Sequence, residues 1–178
     1  IMQTVQMDYG DGLISVELPE SAIVVEYGKT YTDPAGIDSR EATAYALKNP
    51  HGFAPLKELG GPDKNVVIGF PDRVKGGVGP DAHRRVAIPL IVEELVKGGT
   101  RLENITLVCC IGLHRMNTLD EWYWYLGKEI VDQFWPERLV NHDAESPDLI
   151  SYGLDDMGNA VQCNKRFADA DLAIVVGH

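Results

Sequence analysis

Three short apolar runs most constrain how this chain can fold: Val66-Val-Ile-Gly-Phe70, Ile105-Thr-Leu-Val-Cys-Cys-Ile111 and Leu172-Ala-Ile-Val-Val176. Runs of this length, rich in β-branched residues and without polar alternation, are the strands of a sheet covered on both faces. Helical patterns lie between them. Ala82 to Lys97 is a long amphipathic segment with Pro89 inside it, stopped by Gly98-Gly99, and the proline predicts a kink. Thr118-Leu-Asp-Glu121 is a capping box opening a helix that carries Trp122, Tyr123, Trp124 and Tyr125. Part of that aromatic group is expected in the core and part against another lobe. Lys128 to Phe134 is helical up to Pro136, and Leu139-Val140 is a short strand. Strands alternating with helices give an α/β domain with a Rossmann-like, mainly parallel sheet flanked by helices.

The flanking segments are less regular. Gly10-Asp11-Gly12 marks a turn between β-like residues, with strands expected at Leu13 to Leu18 and Ala22 to Tyr27. Pro34-Ala35-Gly36 breaks the chain, and Asp38 or Ser39 caps a helix over Arg40 to Lys48. Gly158 turns into a strand at Ala160 to Cys163. The 178 residues allow a single compact domain. Because the chain stops directly after an apolar strand, it is expected to be the N-terminal lobe of a two-domain protein.

In open parallel sheets, ligands bind at the carboxyl ends of the strands. Two such ends carry chemistry. Gly112-Leu113-His114-Arg115 follows the second run, and Asp72-Arg73-Val74-Lys75 follows the first after Pro71. An imidazole beside a carboxylate and two cations reads as one polar site. His114 is a candidate proton acceptor and donor. Position alone equally allows a loop histidine bonded to a nearby carbonyl. Asp72, Arg73 and Lys75 can hold a hydroxy acid, or form local ion pairs in a solvated loop. Gly76-Gly77-Val78-Gly79 can nest a phosphate but matches neither nucleotide fingerprint, which weakens any NAD-dependent reading. Asn141-His142-Asp143 is read as a turn-stabilising element. The three cysteines form no zinc or disulfide pattern and are expected to be buried, inert thiols.

A net charge of −11 argues against nucleic acid as a partner. No apolar stretch reaches the roughly 20 residues of a membrane span. With no signal-peptide pattern at the N-terminus, the expected location is cytoplasmic.

Taken in order, these segments resemble the N-terminal domain of the nickel-pincer lactate racemase family. Its Asp-x-Thr-Arg pattern reads Asp72-Arg73-Val74-Lys75 here, and its Gly-Thr-His-Arg pattern reads Gly112-Leu113-His114-Arg115. Asn141-His142-Asp143, Asn164-Lys165 and Ala170-Asp171-Leu172 follow in family order. The resemblance implies racemisation or epimerisation of a 2-hydroxy acid, with hydride taken and returned by a nickel-pincer nucleotide. Two histidines then exchange the hydroxyl proton, His114 matching the first and His178 standing as candidate for the second. Asp72, Arg73, Lys75 and Arg115 would bind substrate. In the family the cofactor-bearing lysine and the nickel-ligating histidine lie further along the chain, so no metal ligand is assigned here. This segment alone is expected to be inactive, and its implied partners are a small hydroxy acid and a C-terminal lobe. Lys75 in place of arginine offers a point charge rather than a planar fork, which favours a larger or more polar acid than lactate. The contrasting reading is a non-catalytic α/β domain that binds a small anion or a partner.

Overall fold

The computed structural model describes residues 1–25, 29–31 and 36–177, which fall into two compact units, Ile1–Ile37 and Asp38–His178. The first unit is a hairpin of β1 (Met2–Tyr9) and β2 (Gly12–Pro19), paired antiparallel with Val5 opposite Val16. Gly10, at φ 59°, makes the turn. Thr4 bonds Glu17 and Gln6 bonds Ser15 on one face, while Val5, Met7, Ile14 and Val16 alternate onto the other. Ala22 to Val25, expected as a strand, form none. β-propensity needs a neighbouring strand to act on, and Ala22 instead turns back to the Pro19 carbonyl. The remainder of that expected strand and the expected break at Pro34-Ala35 lie outside the described residues.

The second unit begins with α1 (Ser39–Lys48), capped by the Asp38 carboxylate on the Glu41 N–H, and the short α2 (Leu56–Leu59). The chain then enters the sheet through β3 (Val66–Phe70) and crosses by α3 (His83–Lys97) to β4 (Ile105–Cys109). Next come α4 (Leu119–Leu126), α5 (Lys128–Phe134) and β5 (Leu139–Asn141). A second hairpin, β6 (Ile150–Leu154) with β7 (Ala160–Cys163), precedes α6 (Lys165–Ala168) and β8 (Leu172–Val175). The four-stranded sheet runs β5-β4-β3-β8, all parallel. This is the α/β fold with a helix-flanked parallel sheet that the apolar runs demand.

Alternation divides the sheet residues between its faces. Val66, Ile68 and Phe70 join Ile105, Leu107, Cys109 and Leu139 in a core against Ile88, Ile91 and Leu95 of α3 and Trp122, Tyr125, Ile130 and Phe134 of α4 and α5. Val67 and Val108 are buried outside that cluster, and Phe167 of α6 reaches Gly69. Three expectations need correction. β4 ends at Cys109 rather than Ile111, because its last sheet bond is Cys110 N–H to the carbonyl of Phe70, where β3 also ends. Cys110 therefore sits in the rim loop and is exposed, while Cys109 is buried and Cys163 half-buried. The third apolar run is an edge strand rather than a buried one: among the described residues β8 pairs with β3 alone, and Val175 is 73% exposed. Of the aromatic group, Trp122 and Tyr125 take the expected core positions, and Trp124 is exposed.

Two glycines carry close packing of different kinds. A Cβ on Gly98 would stand 2.0 Å from the backbone oxygen of Lys57, whereas one on Gly69 would meet the ring of Phe167 at 2.7 Å. Backbone cannot yield as a side chain can. Gly98→Ala should destabilise the chain by about 1–3 kcal/mol and Gly69→Ala by less, as measured by urea unfolding.

Candidate functional site

β3 and β4 are adjacent and parallel, with Phe70 opposite Cys109, so their carboxyl ends leave the sheet side by side. The loops that follow bring the two expected groups together: His114 Nδ1 lies 2.6 Å from Asp72 Oδ2. The carboxylate is buried and the imidazole side chain is 48% exposed. Asp72 Oδ1 accepts the Val74 N–H at 3.1 Å, which fixes the carboxylate within its own turn. A carboxylate only accepts, so the ring proton stands on Nδ1 and the Nε2 lone pair is left outward. That is the tautomer of a base held by an orienting acid. In place of the carbonyl-bonded alternative, His114 meets the Asp72 carboxylate, which keeps further acceptor capacity.

The cations divide. Arg115 makes a two-point bond to Glu121, at 2.9 and 2.7 Å, and Arg73 Nε reaches the same carboxylate at 3.2 Å. Glu121 also completes the capping box, accepting from the Thr118 N–H while Thr118 Oγ1 accepts from the Glu121 N–H. One carboxylate thus ties both rim arginines to the start of α4. Lys75 is exposed, and among the described residues its ammonium takes part in no ion pair. His178, the candidate second histidine, lies outside the described residues.

Three supporting contacts escaped the sequence reading. Arg84 is fully buried at the start of α3, donates to the carbonyls of Lys75 and Gly77, and stacks over the Tyr125 ring at 4.7 Å. Burial lowers its pKa, opposed by the field of Tyr125, Cys109 and Asp72. The glycine-rich loop therefore turns carbonyls toward a cation, which does not suit a phosphate nest. The signal was there: Arg84 opens the same helical stripe as Ile88, Ile91 and Leu95. Second, Asn141 Oδ1 accepts from both the backbone N–H and Nδ2 of Asn117 while Asn141 Nδ2 donates to the Asn117 carbonyl, all at 3.0 Å, which docks the His114 loop on β5. The Asn-His-Asp element is structural in this respect. Third, Cys109 Sγ lies 3.5 Å from the Tyr125 hydroxyl and 3.4 Å from Asn117 Nδ2, and burial pushes its thiol up to about 12. It is no nucleophile. Among the described residues no group of three or more His, Cys, Asp or Glu side chains is placed to hold a metal ion. Nor is any of their helices long and apolar enough to cross a membrane.

Folding holds the Glu121 carboxyl at about 2, chiefly through the Arg115 hydrogen bond and then the Thr118 N–H, against 4.5 ordinarily. A depressed pKa stabilises the fold above the unfolded value and ceases to do so as pH falls through the folded one. Glu121→Gln should lower the melting temperature at pH 7 and flatten its fall between about pH 4.5 and 2, with a weaker difference at high salt. Parallel pH–melting curves for the two proteins would contradict the clamp.

No curated protein matches this chain. Among solved structures, the lactate racemase apoprotein from Thermoanaerobacterium thermosaccharolyticum is 25% identical, with a TM-score of 0.67 over 97% of this chain. A protein from Thermotoga maritima is 17% identical with a TM-score of 0.58 over 82% of the chain, and supports the fold. The chain spans 38% of the length of the first and 34% of the second. The lactate racemase N-terminal domain family matches residues 9–178. With the parallel sheet, the paired strand-end loops and this match in agreement, the chain belongs to the lactate racemase N-terminal domain family.

Proposed function

We propose that the protein carrying this chain is a racemase or epimerase of a small 2-hydroxy acid, and that this chain supplies the proton-transfer and anion-binding side of its site. The observation that carries the reading is the Asp72–His114 pair at 2.6 Å on adjoining strand ends. His114 Nε2 takes the substrate hydroxyl proton as the C–O bond gains carbonyl character, and returns it in the reverse step. Asp72 keeps the ring in the required tautomer and faces the positive charge it acquires. Lys75 pairs with the substrate carboxylate as a point charge. Arg73 and Arg115, held by Glu121, retain further N–H donors toward the same anion.

Hydride exchange at the 2-carbon needs an acceptor, which the family resemblance assigns to a nickel-pincer nucleotide. The same resemblance puts the attachment of that nucleotide further along the chain than this segment. His178 is the candidate for the second proton exchanger, serving the hydroxyl of the opposite enantiomer. The proposed setting is the cytoplasm, with a small hydroxy acid and a C-terminal lobe as partners and no nucleic acid or membrane.

In the full-length protein, His114→Ala should lower racemisation by about 10²–10⁴-fold with the fold intact, since the half-exposed ring contributes little core packing. Asp72→Asn should cost about 10–100-fold, the loss of one charge-assisted hydrogen bond. Enantiomer interconversion followed by polarimetry tests both, and near wild-type rates in His114→Ala would overturn its assignment as the base. A second expectation concerns substrate choice. Lys75→Ala should mainly raise KM, and Lys75→Arg should redistribute kcat/KM over a panel of hydroxy acids of differing size and polarity. Identical profiles for the three proteins would place Lys75 outside the site.

A further inference from the structure

A second imidazole stands on the same rim with its protons arranged the other way. His142 follows β5, the neighbour of β4, and its backbone N–H donates to the Cys109 carbonyl at 2.9 Å. It thus attaches directly to the strand whose next loop carries His114. Its ring Nδ1 lies 3.1 Å from Nδ2 of Asn164. Asn164 has no freedom to turn its amide round, because its Oδ1 caps α6 by accepting the Arg166 N–H at 2.9 Å. Only the oxygen can accept there, so the NH2 group faces the histidine and donates. His142 Nδ1 must then be the acceptor, and the ring carries its proton on Nε2. The ring is half-buried, and among the described residues Nε2 meets no hydrogen-bond partner. His114 offers a lone pair at Nε2, while His142 offers an N–H.

We propose that His142 is a neutral Nε2–H donor to an oxygen of the hydroxy acid bound at His114, and that Asn164 is the positioning residue that fixes its tautomer. The proposal rests on the racemase reading above and adds a ligand contact to it. A donor on the neighbouring strand end complements the base. The base takes the hydroxyl proton, and the donor holds the substrate carboxylate, equally in the ground and transition states.

Asn164→Asp separates this role from a structural one. Aspartate caps helices as well as asparagine does and still accepts from the Arg166 N–H. It has no proton to give, so a neutral His142 ring must then carry its proton on Nδ1. Histidine-selective ¹⁵N spectra of the full-length protein, with His142→Gln to assign the resonance, should show Nε2–H in the wild type and protonated Nδ1 in Asn164→Asp, at unchanged melting temperature. Titration with sodium lactate should shift the wild-type His142 ring signals and not the variant's. Racemisation by Asn164→Asp should show KM raised about tenfold or more with kcat within about threefold. A wild-type ring protonated at Nδ1 would overturn the tautomer assignment, and an unchanged KM with the tautomer reversed would overturn the ligand contact. If the protein racemises nothing yet lactate shifts the His142 ring, the donor stands and the racemase reading falls. If no hydroxy acid of the panel, from lactate to larger and more polar acids, either reacts or shifts the ring, both fall.

Discussion

The site depends on the parallel pairing of β3 with β4. Their register puts Phe70 opposite Cys109, and the sheet bonds stop there for both strands. Two residues later in one chain segment and five in the other, Asp72 and His114 meet. An antiparallel pairing would send the two loops to opposite ends of the sheet. Parallel pairing in turn requires a crossover, and α3 provides it with a face of Ile88, Ile91 and Leu95 pressed on the core strands. Hydrophobic burial of the sheet therefore acts on the catalytic candidates through geometry, although neither group belongs to the core cluster.

Beyond the last sheet bond, polar contacts take over from burial. The loop after β3 is held from beneath by Arg84, whose guanidinium meets the carbonyls of Lys75 and Gly77 and the face of Tyr125. An unpaired buried cation is costly, so these partners are what makes its position tolerable. The loop after β4 is held from the side by the Asn117–Asn141 exchange and from above by the Arg115–Glu121 fork. Each anchor is a side chain reaching a neighbouring element, which suits a rim that needs fixed groups without continuing the sheet. Glu121 serves twice, as the cap of α4 and as the common partner of Arg73 and Arg115.

The two rim histidines show how partner chemistry sets what an imidazole can do. An acceptor at Nδ1 leaves His114 with a basic Nε2, and a donor at Nδ1 leaves His142 with an Nε2–H. The same residue type on adjoining strand ends thus has opposite capacities.

The amino-acid sequence by itself determined the elements that follow from local pattern. Continuous apolar runs named β3 and β4, the Thr118–Glu121 box named the start of α4, and Gly98 named the end of α3, because periodicity and capping act within a few residues. It also placed Asp72 and His114 at strand ends and suggested that they share a site. Partner-dependent features were not legible. Ala22 to Val25 have strand-forming residues and, among the described residues, no strand paired with them, and β8 is apolar yet lies at an edge with Val175 exposed. β6 was missed because its Ser151, Tyr152 and Gly153 show no clear alternation until β7 supplies the register. Only the tertiary structure decided that Glu121 would claim both arginines, that Arg84 would be buried, and that Asn164 would meet His142. These are hydrogen bonds and ion pairs between groups far apart in the chain, and their energy depends on distance and angle that no local pattern encodes.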